Sequence, residues 1–112
     1  MIQLDKPSIL NLVDNRWWRG NAYYAVYTAK ALHEAGYRTA VAGVSDIPAM
    51  RKAKEIGLDT ISGFHSREEN PFKYRKEVNN LLSIVKENRF DIIIAHGSPS
   101  HFYASRIKKR LG

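Results

Sequence analysis

A histidine directly follows the most apolar stretch of the sequence. Residues 92–95 read IIIA, and His96, Gly97 and Ser98 come next. Because an imidazole titrates near neutral pH, this histidine could donate a hydrogen bond to a hydroxyl group of a ligand or accept one from it. The alternative is a hydrogen-bonded histidine without a chemical role. His101 lies a little further along the chain, where it could assist.

A second unusual stretch, residues 14–21, reads DNRWWRGN and contains two tryptophans outside any apolar period. Gly20 and Asn21 stand just before a predicted helix, whose free backbone N–H groups favour a phosphate or a carboxylate. Arg16 or Arg19 could add a charge-assisted hydrogen bond. The stretch lacks the glycine spacing of dinucleotide-binding loops and the Gly-Lys-Ser/Thr of a Walker loop. In the alternative interpretation, the tryptophans pack over the sheet edge and Gly20 only turns the chain.

The composition removes several other chemistries. The sequence contains no cysteine, which excludes disulfides, thiolate metal sites and cysteine catalysis. No spacing of histidines and carboxylates indicates a metal site, and no serine, histidine and aspartate set indicates a nucleophile. We therefore expect neither a metal nor a cofactor. His33 and His65 are interpreted as surface residues, and the adjacent Glu68 and Glu69 receive no catalytic role.

The hydrophobic pattern alternates between strand and helix periods along the whole chain. Short apolar runs predict strands over residues 8–13, 38–44, 59–64 and 91–95. Helical spacing predicts four helices. The first runs from residue 22 to Gly36, the second from residue 46 to Gly57, and the fourth over residues 100–111. The third contains Val78, Leu81, Leu82 and Val85 and ends at about residue 88. The fourth strand is almost entirely apolar, so we expect it to be covered on both faces.

This alternation predicts an α/β fold with a parallel sheet, because each helix is a crossover between parallel strands. Right-handed crossovers, with a change of direction after strand one, give the strand order 3-2-1-4 and place helices on both faces. The predicted architecture is a Rossmann-like half of a doubly wound sheet. Ligands bind such sheets where the strand order reverses, here between strands one and four. Residues 14–21 and 96–100, the two unusual stretches, meet at that point.

The chain of 112 residues has the length of one domain, with 44% hydrophobic and 26% charged residues, typical of a globular protein. Its formal net charge of +7 favours an anionic partner. No nucleic-acid recognition motif is present, so we expect no nucleic acid. There is no signal-peptide pattern and no apolar run of membrane-spanning length. We therefore expect a cytoplasmic protein, either free or peripheral at the inner face of the membrane.

The basic residues recur in clusters, at residues 51–54, 73–76 and 106–110. If the helices that carry the first two clusters share a face, these clusters form one patch that could adhere to an anionic membrane surface. The alternative is a set of independently solvated side chains.

Three segments together resemble family 4 retaining glycosyltransferases, which have the two-domain GT-B fold. Residues 9–20, ILNLVDNRWWRG, look like the start of these enzymes. Residues 31–41, ALHEAGYRTAV, are similar to their L-x-x-x-G-H-x-V-x-V segment, with Tyr37 in place of the common histidine. Residues 89–98, RFDIIIAHGS, resemble their R-P-D-V-V-H-A-H-S strand, with Phe90 and Ile94 as departures and His96 matching the second histidine.

The resemblance implies roles for the residues at the switch point. His96 corresponds to a histidine near the reacting sugar, and Arg19, Gly20 and Asn21 fall on the loop that lies against the donor diphosphate. Asn21 stands where the family often has a second glycine or a following glutamate. Acceptor recognition belongs to the N-terminal domain, and the candidates for it here are Asp14, Arg16, Trp17, Trp18, Ser98 and His101.

Family members are longer and carry a second, nucleotide-binding domain with an E-x₇-E motif. By this resemblance, residues 1–112 form a single N-terminal, acceptor-side domain, incomplete relative to the family and without the C-terminal domain. The parent enzyme would transfer a hexosyl-type sugar from a nucleotide-sugar donor to a lipid or saccharide acceptor with retention. The isolated chain is expected to be inactive and to self-associate through open strand edges. The alternative function is a stand-alone phosphate- or nucleotide-binding Rossmann-like module with a regulatory or partner-binding role.

Overall fold

Strands and helices alternate throughout the computed structural model, which describes residues 6–13, 20–44, 47–62, 71–96 and 98–111. The strands are β1 (Ile9–Val13), β2 (Thr39–Gly43), β3 (Asp59–Ser62) and β4 (Ile92–His96). The helices are α1 (Gly20–Glu34), α2 (Pro48–Glu55), α3 (Pro71–Asn88) and α4 (Ser98–Leu111). Every predicted element is present, in the predicted order.

The four strands form one parallel sheet in the order β3-β2-β1-β4. The predicted α/β fold with strand order 3-2-1-4 is therefore confirmed. In the register of β1, Ile9 pairs with Thr39 on one side and with Ile92 on the other. Because the chain runs from β1 to β2 to β3 and then returns to the far side of β1, the order reverses between β1 and β4.

The two faces of the sheet carry two separate hydrophobic clusters. On one face, Val13 and Val41 pack with buried alanines of α1 and with Met50 of α2. On the other face, Leu10 and Leu12 pack with Leu81 of α3 and with buried residues of α4. Side chains alternate between the faces of a strand, so apolar residues at successive positions of β1 supply both clusters. Both β1 and β2 are buried along their whole length.

The most apolar strand, β4, contacts α1 on one face of the sheet and α4 on the other, as expected, but it is less buried than β1 and β2. Ile92 is 42% exposed, and the residues from Ile93 to His96 are only half-buried. The reason is topological, because β4 stands at an edge of the sheet while β1 and β2 occupy its centre. Apolar composition identified the strand but not its place in the sheet.

The basic clusters of α2 and α3 lie on opposite faces of the sheet, so they do not form one patch. Helix α2 packs with α1, whereas α3 packs with α4 on the other side. The handedness of the crossovers explains this arrangement, because reversing the direction of travel along the sheet moves the crossover helix to the other face. Within the described part of the chain, no helix combines the length and the apolar composition needed to cross a membrane.

Three helices end in the same hydrogen-bond pattern. After α1, the N–H of Tyr37 donates to the carbonyl of Leu32, and the N–H of Gly36 donates to that of His33. The same pair of bonds closes α2 around Gly57 and α3 around Arg89. The pattern requires a positive φ at the turning residue, and φ is +89° at Gly36 and +85° at Gly57. Both predicted glycine stops are therefore helix ends.

Candidate functional site

The carboxyl ends of β1 and β4 lie side by side at the point where the strand order reverses. Val13, the last residue of β1, pairs in register with His96, the last residue of β4. His96 was expected in the turn after the strand, but it belongs to the strand itself because pairing with β1 extends to it. The backbone ladder therefore fixes the position of this histidine.

Two helices begin at the same edge of the sheet. Helix α1 starts at Gly20, earlier than the predicted residue 22, and α4 starts at Ser98 rather than at residue 100. Pro99 fits the first turn of α4, because a proline there loses no helical hydrogen bond. Neither helix has an acidic residue in its first turn. The free N–H groups and the positive ends of both helix dipoles therefore favour an anion at this edge.

The imidazole of His96 makes a side-chain contact with a buried residue of β1. His96 is half-buried, and its Nε2 lies 3.2 Å from Oδ1 of Asn11. In the ladder, Asn11 pairs with Ile94, two residues before His96, so the two side chains project from the same face of the sheet. The contact connects residues that are 85 positions apart in the sequence.

Asn11 is fully buried in the centre of the sheet, and it also forms hydrogen bonds with β2, on the side away from His96. Its Nδ2 donates to Oγ1 of Thr39 at 2.9 Å and to the carbonyl oxygen of Ala40 at 3.2 Å. Sequence reasoning did not select Asn11 as a site residue. The available signal was an amide side chain within the otherwise apolar strand ILNLV, because a polar group is rarely buried without hydrogen bonds.

The structure describes part of the predicted site. Gly20 is the first residue of α1, with φ +20°, and Asn21 follows it in the first turn. Ser98 is the first residue of α4, and His101 lies in the first turn of that helix. Five predicted site residues lie outside the described residues, namely Asp14, Arg16, Trp17, Trp18 and Arg19. The positions that are described all lie at the carboxyl edge of the sheet, as the predicted topology requires.

The residues outside the site are also informative. His33 is exposed in the last turn of α1, at the opposite edge of the sheet from His96. His65, Glu68 and Glu69 lie outside the described residues. Among the residues that the structure describes, no group of three or more histidine, cysteine or acidic side chains could hold a metal ion.

The parallel order β3-β2-β1-β4, with two helices on each face, defines a Rossmann-like α/β domain. MurG from Acinetobacter baumannii, a glycosyltransferase of the GT-B fold, has a similar structure, with a TM-score of 0.72 and 16% sequence identity. The match covers 91% of this chain and 33% of MurG, so the chain spans about a third of the length of that protein. No protein-family model and no curated protein sequence matches the chain.

The predicted resemblance to part of a GT-B glycosyltransferase is therefore confirmed at the level of the fold. MurG is placed in glycosyltransferase family 28, so the family 4 number stays a prediction.

Proposed function

We propose that this chain is the N-terminal, acceptor-side domain of an enzyme that transfers a sugar from a nucleotide-sugar donor to a lipid or saccharide acceptor with retention. The observation that carries the proposal is the position of His96. It is the half-buried last residue of β4 at the switch point, held by Asn11 and next to the end of β1. In a doubly wound sheet this is the place where ligands bind.

Each part of the edge has a role in this proposal. The imidazole of His96 forms a hydrogen bond with a hydroxyl group of the transferred sugar. The N-termini of α1 and α4 favour the negative charge of the donor diphosphate, with Arg19, Gly20 and Asn21 as the residues closest to it. The acceptor contacts Asp14, Arg16, Trp17, Trp18, Ser98 and His101. No metal or cofactor takes part.

Transfer also requires groups that hold the nucleotide. In this proposal they belong to a second Rossmann-like domain, and residues 1–112 contribute only the acceptor side of the cleft. The match to a third of MurG supports this division. The 112-residue chain alone is then inactive but keeps weak affinity for the sugar-diphosphate portion of the donor.

Titration of the ¹⁵N-labelled chain with UDP-glucose and GDP-mannose, followed by NMR, tests the proposal. We expect the amide signals of Gly20, His96 and Ser98 to shift with at least one nucleotide sugar. His96→Ala should reduce the shifts strongly, whereas His33→Ala, which removes an exposed imidazole at the opposite edge, should leave them unchanged. Unchanged spectra at millimolar ligand, or equal effects of the two variants, would refute the role of this edge.

The same titration distinguishes the transferase domain from the alternative, a stand-alone nucleotide-binding module. A stand-alone nucleotide-binding module recognises the nucleotide itself, so UDP or GDP alone should then shift the same signals at the same concentrations as the nucleotide sugar. In the transferase domain, the sugar-linked donor should bind more tightly than the free nucleotide because His96 contacts the sugar.

A further inference from the structure

Two buried polar side chains in the centre of the sheet, Asn11 and Thr39, form a connected group with His96. They bond to each other, and Asn11 continues to His96 on the other side. Because an apolar residue would fill position 11 without needing hydrogen bonds, a buried amide that joins two neighbouring strands calls for a specific explanation.

The hydrogen-bond partners determine which way the amide group of Asn11 faces. The carbonyl oxygen of Ala40 can only accept a hydrogen bond, so the atom 3.2 Å from it must be the donor Nδ2. Nδ2 has two hydrogens, and the second goes to Oγ1 of Thr39. The oxygen Oδ1 therefore faces His96 and can only accept.

An acceptor on Asn11 requires a donor on His96. A hydrogen bond between Oδ1 and Nε2 forms only when Nε2 carries a hydrogen. In a neutral imidazole one nitrogen is protonated and the other has the lone pair, so Nδ1 is then the basic nitrogen. The acceptor at Ala40 therefore determines the direction of the amide group of Asn11, and the amide group in turn determines which ring nitrogen of His96 carries the hydrogen.

We propose that Asn11 is a positioning residue, which holds the ring of His96 in one orientation and in the tautomer with hydrogen on Nε2. Thr39 and the carbonyl of Ala40 set the direction of the amide group. This proposal rests on the proposed function only for its consequence, namely that the ring nitrogen with which neutral His96 can accept a hydrogen bond in the site is Nδ1, which donates only when the ring is protonated.

NMR of the ¹⁵N-labelled 112-residue chain measures the tautomer directly, through correlations between the ring carbon-bound hydrogens and the ring nitrogens. Above the pKa of the ring, we expect nearly all of His96 to carry its hydrogen on Nε2, with a resolved signal for that hydrogen. The exposed ring of His33 should show rapid exchange with water and no such signal. A neutral ring of His96 with hydrogen mainly on Nδ1 would overturn the proposal without any variant.

Substitutions of Asn11 separate positioning from a general structural effect. Asn11→Leu has a similar volume but no acceptor, so the Nε2 hydrogen signal should disappear and the Nδ1–H tautomer should become detectable. Asn11→Asp keeps an acceptor oxygen for Nε2, so the signal should be present, although the donors to Thr39 and Ala40 are lost and the chain becomes less stable. Thr39→Val leaves the carbonyl of Ala40 in place, so most of the Nε2 hydrogen signal should be retained. A retained signal in a folded Asn11→Leu chain would overturn the proposal.

These outcomes are independent of ligand binding. If Nε2 carries the hydrogen but no nucleotide sugar shifts the site signals, the positioning of His96 stands and the proposed transferase function fails. If nucleotide sugars bind while the wild-type ring carries its hydrogen on Nδ1, the function stands and the role of Asn11 fails.

Discussion

Gly43, the last residue of β2, lies so close to the end of β1 that no side chain fits between them. A Cβ atom at position 43 would stand 2.8 Å from the carbonyl oxygen of Val13 and 3.2 Å from its Cγ1. Val13 is also the register partner of His96, so a displacement of Val13 by a side chain at position 43 would reach the candidate site.

Gly43→Ala should therefore lower the free energy of unfolding by about 1–3 kcal/mol, the usual cost of overpacking against backbone that cannot move away. It should also shift the amide signals of Val13 and His96. Gly57→Ala is the control for the amide shifts, because a Cβ there meets no atom within 4 Å. Its positive φ should lower the free energy of unfolding by about 1–2 kcal/mol, but the signals of Val13 and His96 should stay unchanged. Urea denaturation and NMR spectra measure both effects. A Gly43→Ala chain with wild-type stability would contradict the close approach.

Arg89 occupies the turning position after α3, where the other two helix ends of this type have glycine. Its φ of 54° is the one positive φ among the described non-glycine residues, and its side chain is exposed. A side chain in this left-handed conformation lowers stability by about 1–2 kcal/mol, a cost that glycine avoids. Glycine gives back part of this gain, because its unfolded chain has more conformational freedom to lose. We expect Arg89→Gly to raise the free energy of unfolding by about 0.5–1 kcal/mol.

Thermal unfolding tests this expectation with a matched substitution. Lys86→Gly changes an exposed residue in the last turn of α3 itself and should lower stability by about 1 kcal/mol. If both substitutions to glycine lower the unfolding temperature, the left-handed conformation at Arg89 is not a source of strain.

The edge strand β4 exposes apolar surface, and we expect the chain to self-associate there. An exposed edge with free N–H and C=O groups pairs readily with a second copy. A lysine at such an edge opposes pairing, so Ile92→Lys should reduce the association seen by sedimentation velocity. Tyr24→Lys, which replaces a 65% exposed residue of α1, serves as the control and should leave association unchanged. A monomer at high concentration in the wild type would refute this prediction.

We predict that exposed basic residues on the face of α3 and α4 bind an anionic membrane surface. They are Lys73, Arg75, Lys76, Arg106, Lys108 and Lys109. Each basic residue near an anionic surface contributes about 1 kcal/mol, so Lys108→Ala with Lys109→Ala should weaken binding to phosphatidylserine vesicles by roughly 30-fold. Arg51→Ala with Lys54→Ala, on the opposite face, should have little effect. Co-sedimentation that is equal for neutral vesicles, or insensitive to salt, would contradict the prediction.

The hydrophobic periodicity of the sequence was sufficient to predict the strands and helices and several residues at the carboxyl edge of the sheet. The change between strand and helix periods, the glycines at positions 36 and 57 and the handedness of crossovers lead to the order 3-2-1-4. This order places His96 and Gly20 at the carboxyl edge. The helix starts were predicted late, because Gly20 and Pro99 read as turn residues while both are acceptable in a first helical turn.

Sequence alone thus determined the fold class and the neighbourhood of the site, because strand order follows from short-range periodicity and from the chirality of the chain. Only the tertiary structure decided which strand is exposed, since the apolar composition of β4 does not state its place at the edge. Only it joined Asn11 to His96, because that contact depends on the register between strands far apart in sequence. The isolated amide in β1 signalled a buried hydrogen bond, and the fold supplied its partners.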